Sequence, residues 1–379
     1  MEQNKNIGMF LETLDSVDRK AVERIKVGKR ATRVPGIIMG TPGDGKTTSI
    51  SLWAQYKGYN LVTFSPSTYS NDDILGLQSI NPKTGDLERK TPSWFNLLTD
   101  LAKNGKRNVL FIDEISASHD LLQPPLFRLV FDRVLDTIPL PLDTLIISAG
   151  NYSADLNNTF RMTAPLVNRF MILNITNEDI DLREVITNDI DDMEDEEIPE
   201  FMGLVEPIKK KYDFNRFKDW VLDNISEFKL GKAEYTDDVE KGGLLGFISP
   251  RIFRFSMMFA EAFMSKFNSP IWMRIVGDSL GMSNKREGIY LRDVLNVNSR
   301  DFEAKATTSI EVTFKSLRDN ILNYGLTKEY ISELNKLISN ASLANTTNQD
   351  ISYFSEICKA YPGNSDLSYL NRQLISKMS

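Results

Sequence analysis

The segment GTPGDGKTTS, residues 40–49, places three glycines and a lysine directly after the apolar run PGIIM. From Gly40 to Thr47 it fits the pattern G-x-x-x-x-G-K-[ST]. Glycines let successive backbone N–H groups converge on phosphate oxygens without Cβ clashes, and the helix that follows adds its positive end. In this pattern Lys46 reaches the β- and γ-phosphates of a nucleoside triphosphate, and the Thr47 hydroxyl binds Mg²⁺.

The alternative for this segment is a glycine-rich turn that merely joins a strand to a helix. A strand pattern before it and a helix pattern after it favour the phosphate loop. Asp44 is an acid inside the loop, and we expect its side chain to point to solvent. The candidate nucleotide-binding residues are Gly40, Thr41, Pro42, Gly43, Asp44, Gly45, Lys46, Thr47 and Thr48.

A second group of candidates is Asp113 and Glu114, which end the apolar run NVLFI. Two carboxylates at the end of a buried strand are costly unless something compensates them. A Mg²⁺ ion bound by Asp113 would do so, and Glu114 could then polarise a water for attack on the γ-phosphorus. The alternative is an ordinary acidic pair at a strand end, which the nearby phosphate loop disfavours.

Three further polar residues complete the candidate catalytic set. Asn151 closes the run DTLIISAGN, at the strand end where ligands of parallel sheets bind, although a turn asparagine would look the same. Arg169 precedes an apolar run, with Arg161 as a weaker alternative. Arg251 follows Ser249-Pro250 at a helix start, where a cation opposes the helix dipole and needs another reason to be present. A bound phosphate is one such reason, and a surface ion pair is the other interpretation.

The elements that must position these residues alternate along the first half of the chain. Short apolar runs at 34–40, 60–66, 108–115, 143–151 and 170–176 read as strands buried on both faces, with helical patterns between them. The pattern predicts a doubly wound α/β domain, residues 1–176. Turn signals predict a hairpin within 77–92 and a short ribbon within 134–142.

The remaining sequence is mostly helical in pattern. We predict a helical domain over residues 177–295, in which Ser249 is the N-cap and Pro250 the first residue of a helix. A helical C-terminal region follows over residues 296–379.

Composition excludes several classes of protein. With one cysteine, Cys358, and one histidine, His119, the chain can form neither an intramolecular disulfide nor a Cys/His zinc cluster. His119 reads as a solvated residue at a helix start. The formal net charge of -7 does not indicate a strongly basic surface, although a local basic channel stays open. Without a signal-peptide pattern or a long apolar span, we expect a soluble cytoplasmic protein with no membrane insertion.

Together these motifs resemble the AAA+ ATPases, and especially their MoxR-like and dynein-related branch. The matching segments are GTPGDGKTT (Walker A), VLFIDEI (Walker B), IISAGN (sensor 1), PLVNRF (arginine-finger region) and SPR (sensor 2). DDILGLQ, the hairpin and TPSWF resemble the same branch. The resemblance covers roughly residues 10–290 and leaves the C-terminal region without an interpretation.

The resemblance implies a five-stranded core, a helical lid and a homo-oligomeric ring, usually of six subunits, with ATP and Mg²⁺ between subunits. Lys46, Thr47, Asp113, Glu114, Asn151 and Arg251 would serve the subunit's own nucleotide. Arg169 would reach the neighbour's γ-phosphate. The hairpin and ribbon would face the pore or one ring surface.

Three functions are consistent with these residues. The leading hypothesis is an ATP-driven remodeller of a protein client. A nucleotide-dependent scaffold with slow hydrolysis is the second, although the intact Glu114 disfavours a dead site. A nucleic-acid motor or loader is the third. The acidic balance argues against it, so nucleic acid is not an expected partner.

Overall fold

A computed structural model describes two parts of the chain, which group as residues 1–304 and 305–379. The residues described are 2–68, 70–152, 162–175, 193–204, 212–228, 236–238, 243–281, 295 and 298–302 in the first unit, and 318, 321–322, 331, 334–335, 338–339, 348–362 and 364–378 in the second. The domain limits given above stay predictions.

Helices and strands alternate through the first 175 residues. The helices are α1 Glu2–Lys26, α2 Lys46–Tyr56, α3 Asn71–Leu75, α4 Ser93–Ala102, α5 Gln123–Phe127, α6 Ala164–Val167, α7 Ile198–Phe201, α8 Phe214–Asp223, α9 Pro250–Lys266, α10 Ile271–Leu280, α11 Asn348–Ala360 and α12 Ser365–Met378. The strands are β1 Gly36–Gly40, β2 Asn60–Phe64, β3 Gln78–Ile80, β4 Leu87–Arg89, β5 Asn108–Ile112, β6 Val134–Leu135, β7 Ile138–Pro139, β8 Thr144–Asn151, β9 Met171–Asn174, β10 Thr236–Asp238 and β11 Gly243–Leu245.

The central sheet has five strands in the order β2-β5-β8-β1-β9, and all of its strand pairs are parallel. The predicted doubly wound α/β fold is confirmed, with the five strands where the apolar runs indicated. Because the strands are parallel, Gly40, Ile112 and Asn151 end at the same edge of the sheet. Residues that follow these strands can therefore meet there.

Each face of the sheet is covered by its own hydrophobic core. Alternate residues such as Ile38 and Phe111 join a core with α1, α2, α9 and α10, while Met39 and Leu110 join a second core with α4 and α5. This two-sided burial explains why the strands are continuous apolar runs rather than alternating ones.

The two inserted segments form the antiparallel pairs β3–β4 and β6–β7, as predicted. Gly85 has a φ of 74° and its N–H donates to the Asn81 carbonyl, which closes the β3–β4 turn. An ion pair of 3.8 Å between Arg89 and Asp136 links the two hairpins. They therefore form one continuous surface.

A buried ion network fixes α1 to the amino ends of the strands. Asp18 lies on α1 and is 1% exposed; Arg33 and Arg107 precede β1 and β5. The Asp18 carboxylate accepts from Arg33 Nε at 2.6 Å and from Nη2 of both arginines at 2.5 Å. Burial opposes ionisation of Asp18, but its hydrogen bond and charge contact with Arg33 hold its pKa below the usual value.

Helix α9 begins as the sequence predicts. The Ser249 hydroxyl accepts from the Ile252 N–H at 3.3 Å, and Pro250 is the first helical residue. His119 likewise stands at a helix start, where its Nδ1 accepts from the Leu121 N–H. None of the described helices is long and apolar enough to cross a membrane.

The second unit contains α11 and α12 around a small core of its own. Arg318 makes an ion pair of 2.9 Å with Glu356 and lies over the Tyr353 ring. The core residues described are Ile321, Leu334, Ile338, Phe354, Ile357, Leu367, Leu370 and Leu374.

Candidate nucleotide site

The loop between β1 and α2 has the backbone that a phosphate site requires. Gly43 and Gly45 have φ values of 92° and 70°. Residues that carry a side chain rarely adopt positive φ values of this kind. The first turn of α2 follows at once, so its N–H groups point back towards the loop. Pro42, Thr47 and Thr48 are exposed here, and Lys46 is buried at the helix start.

Asp44 differs from the expectation that its side chain would point to solvent. Its Oδ1 accepts from the Thr41 hydroxyl at 2.6 Å, and the side chain is half-buried. A Cβ at Gly40 would lie 2.4 Å from Asp44 Oδ2, so the missing side chain of Gly40 makes room for the carboxylate. A nearby hydroxyl donor and an open space beside the backbone outweigh solvation at this position.

Lys46 joins the loop to the end of β8. Its Nζ donates to the Thr41 carbonyl at 2.7 Å and to Asn151 Oδ1 at 2.9 Å. The Asn151 N–H in turn donates to the Ser116 hydroxyl at 2.9 Å. The structure thus brings the predicted Lys46 and Asn151 together, with their polar atoms at the edge where the loop begins.

Asp113 lies beside the start of α2. Its Oδ2 accepts from the Thr47 hydroxyl at 2.9 Å, and its N–H donates to the Phe64 carbonyl. A carboxylate and a hydroxyl are the oxygen ligands that Mg²⁺ takes while it keeps several waters. The donor set of Thr47 and Asp113 therefore fits Mg²⁺.

Glu114 is held in an unusual backbone conformation. Its φ of 52° is in the left-handed region, which turns its side chain towards the end of β2. There its Oε2 accepts from the hydroxyls of Ser67 at 2.6 Å and Ser65 at 3.2 Å. Sequence analysis did not find these two serines, because serines after a strand are common in turns.

Arg169 and Arg251 both lie against one aromatic ring, Phe131. The guanidinium carbons of Arg251 and Arg169 are 4.0 and 5.3 Å from the centre of the Phe131 ring, and Arg169 also lies over Phe127. Burial, and next the charge of Arg251, lower the pKa of Arg169, while Asp132 opposes the shift. The guanidinium groups of Arg169 and Arg251 therefore lie close together in a partly buried site.

This pair lies at the opposite end of the sheet from the phosphate loop. Arg169 precedes the first residue of β9, Met171, which aligns with the first residue of β1, Gly36. The loop follows the far end of β1, about 13 Å along the strand. The start of α9 is at the same end as Arg169, since Ser249 donates to Asn168 Oδ1 at 2.8 Å.

The position of Arg251 differs from what the resemblance implied. An arginine serving the subunit's own nucleotide would be expected beside Lys46 and Asp113, and the structure instead places it beside Arg169. The cause is the long-range packing of α9 against the segment before β9. The other finger candidate, Arg161, lies outside the described residues.

A buried hydrogen-bond network around Tyr152 and Asn174 connects the sheet edge that carries the phosphate loop to β11 and α10. The sequence alone did not predict this network. The Tyr152 hydroxyl, next to Asn151, is within hydrogen-bond distance of the carbonyls of Met39 and Ile175 and of Asn174 Oδ1. The Asn174 side chain also donates to the Leu244 carbonyl and to Asp278, and accepts from the Leu244 N–H. The end of β9 is thereby tied to β11 and α10.

Comparisons with known proteins agree with this geometry. Residues 37–124 match the model of the family described as "ATPase family associated with various cellular activities (AAA)". This segment contains Lys46, Thr47, Asp113 and Glu114. No match was found among curated proteins.

Among solved structures, the chain is similar to "a putative ATPase" from Cytophaga hutchinsonii ATCC 33406. The two are 17% identical, the match covers 80% of this chain and 96% of the other, and the TM-score is 0.42.

The parallel sheet and the loop between β1 and α2 define the fold as a P-loop α/β core. The order β2-β5-β8-β1-β9 is typical of the P-loop core of AAA proteins. Within this core, residues 37–124 are similar to the AAA ATPases, a family of enzymes that hydrolyse ATP.

Proposed function

We propose that the chain hydrolyses ATP between neighbouring copies of itself, in a ring of six, and uses the cycle to remodel or assemble a protein partner, as a MoxR-like chaperone. The observation that carries this proposal is the separation of two sets of polar groups. The loop, Asp113 and Glu114 lie at one end of the sheet, and Arg169 and Arg251 lie at the other. One copy alone cannot bring both sets to one phosphate.

In the proposed site, the loop amides and Lys46 bind the β- and γ-phosphates of ATP. Thr47 and Asp113 would hold Mg²⁺, which screens the negative charge that builds up on the phosphates. Because Lys46 donates to Asn151 Oδ1, the amide of Asn151 would lie near the γ-phosphate that Lys46 binds. Asn151 can there orient the attacking water.

Glu114 is the proposed base. Both serine hydroxyls contact its Oε2, and within the described residues no hydrogen bond engages Oε1. Oε1 is therefore available to accept the proton of a water, while the serines fix the direction of the carboxylate.

Arg169 and Arg251 are the proposed contribution of the neighbouring copy. Burial first, and then the charge of Arg251, lower the pKa of Arg169, so the two neighbouring cations repel each other. An anion between protomers would relieve that repulsion. A γ-phosphate whose negative charge grows during transfer is such an anion.

The linked hairpins provide the proposed surface for a protein partner. Three large apolar side chains of the β3–β4 hairpin are mostly exposed to solvent: Leu77 is 62% exposed, Ile80 70% and Leu87 66%. A cavity of about 480 Å³ lies between the hairpins and is lined by both. Leu87 and the 41% exposed Ile138 line this cavity. Exposed apolar side chains at a groove are typical of a protein interaction site.

Glu114→Gln tests the proposal. We expect this variant to bind ATP and to assemble, while its steady-state turnover is abolished, because an amide cannot accept the proton of the water. Glu200→Gln, a change of the same kind at an exposed position of α7, should hydrolyse at the wild-type rate. Retained turnover in Glu114→Gln would refute the role of this residue.

A separate measurement distinguishes the remodeller from the scaffold. Native mass with ATP reports assembly, and turnover at the same concentration reports hydrolysis. An ATP-dependent ring with negligible turnover in the wild type would favour the scaffold.

A further inference from the structure

A strongly basic segment lies where α1 ends, although the chain as a whole is acidic. Residues 19–33 contain seven basic residues and one acidic residue, Glu23. Two of the seven, Arg19 and Arg33, contact carboxylates of α1. The exposed remainder is Lys20, Arg24, Lys26, Lys29 and Arg30.

A cavity of about 690 Å³ opens beside this segment. Lys29 and Arg30 line it from the segment, and Arg254 lines it from α9. Among the described residues no carboxylate lines the cavity, and none makes an ion pair with these three cations. In that part of the chain, the backbone N–H groups of Arg30, Ala31 and Thr32 also have no hydrogen-bond acceptor.

The negative end of α1 explains only part of this charge. Arg24 and Lys26 lie in the last turn, where cations favour the helix dipole. The last carbonyls are already capped, since the N–H groups of Gly28 and Lys29 donate to Ile25 and Arg24. Lys29, Arg30 and Arg254 lie beyond that turn, and two of them are arginines, whose fork suits phosphate.

We propose that this cavity and the adjoining basic face of α1 bind the phosphate backbone of a nucleic acid. Lys20 and Arg24 share one face of α1, and the row of cations from Lys20 to Lys26 extends about 9 Å before the cavity. This length suits a chain of phosphates better than a single free phosphate. No aromatic ring lines the cavity, so the contacts are independent of base sequence.

An anionic membrane is a weaker match for the same charges. Binding to a lipid surface needs apolar side chains that enter the interface. In this segment Val27 is the one exposed large apolar residue. A concave, cation-lined site with free amides instead resembles the backbone contacts of nucleic-acid-binding proteins.

The test uses the full chain, a labelled random-sequence DNA duplex and saturating Mg²⁺ with ADP, so that the phosphate loop is occupied. Lys29→Glu/Arg30→Glu should weaken duplex binding at least tenfold. It should also make the slope of log K against log salt shallower by about two, because each backbone contact contributes about -0.9. Both residues are exposed, so folding and basal ATPase should not change.

The control is Lys83→Glu/Lys218→Glu, which alters the net charge equally at exposed positions of the hairpin and α8. It should bind the duplex as the wild type does. Equal loss in both double variants would overturn the proposal, since it would reflect net charge alone. So would wild-type binding of inorganic phosphate or of phosphatidylglycerol vesicles without binding of the duplex. Loss of ring assembly in Lys29→Glu/Arg30→Glu with duplex binding unchanged would also overturn it.

Discussion

Replacing Phe131 with leucine should slow hydrolysis without weakening ATP binding. The guanidinium groups of Arg169 and Arg251 both lie within cation–π distance of the Phe131 ring. Leucine keeps an apolar side chain of nearly the same volume and removes the π-face. Each cation–π contact at a partly exposed site contributes about 0.5–1 kcal/mol, so the two together contribute about 1–2 kcal/mol.

That free energy sets the expected kinetic effect. A loss of about 1–2 kcal/mol in positioning the two arginines lowers turnover about 5- to 30-fold. Binding of a fluorescent ATP analogue should stay within about twofold of the wild type, because the phosphate loop lies at the other end of the sheet. Turnover should be measured over a range of protein concentrations, so that weaker assembly and slower chemistry are separated.

Phe131→Tyr is the matched control, because it keeps the aromatic face. It should retain most of the turnover that Phe131→Leu loses. Wild-type turnover in Phe131→Leu would refute the reasoning, and so would an equal loss in Phe131→Tyr, since the effect would then come from packing rather than from the ring's charge distribution.

Two further predictions concern stability. Asp18→Asn should lower the free energy of unfolding by about 3 kcal/mol in urea titrations, because Arg33 stays buried without its partner charge; exposed Asp72→Asn should change it little. Since the folded state lowers the pKa of Asp18, this stabilisation is full above about pH 4 and is lost as pH falls further, and the pH dependence should be weaker in Asp18→Asn. Tyr152→Phe should lower the free energy of unfolding by about 1–2 kcal/mol, because it leaves the Ile175 carbonyl without its donor. An unchanged unfolding curve would contradict the role given to the hydrogen bonds of Tyr152.

The sequence was sufficient to predict those parts of the fold and of the site that a local residue pattern determines. A local pattern of glycines and a lysine predicted the phosphate loop. Continuous apolar runs, which are typical of strands covered on both faces in a parallel sheet, predicted β1 and β5. Asp113 could be predicted to lie near Thr47, because β5 and β1, the strands that precede them, end at the same edge of the sheet.

Contacts that depend on how helices and loops pack on the sheet were not predictable in this way. The stack of Arg169, Phe131 and Arg251 depends on where α9 packs, and no local pattern encodes that choice. The same holds for Ser67 beside Glu114. The side chain of Asp44 was expected in solvent, whereas it accepts from the Thr41 hydroxyl and occupies the space that Gly40 leaves open.

Mixing two inactive variants tests most directly whether neighbouring copies complete each other's site. Glu114→Gln lacks the base and Arg169→Ala lacks the arginine, and each alone should lose turnover, the latter by roughly 10³–10⁵-fold. In a random mixed ring, about one interface in four combines an intact Glu114 with an intact Arg169 from the neighbour. The account predicts that mixing restores turnover towards a quarter of the wild-type value. Mixed rings that form and stay as inactive as their parents would contradict it.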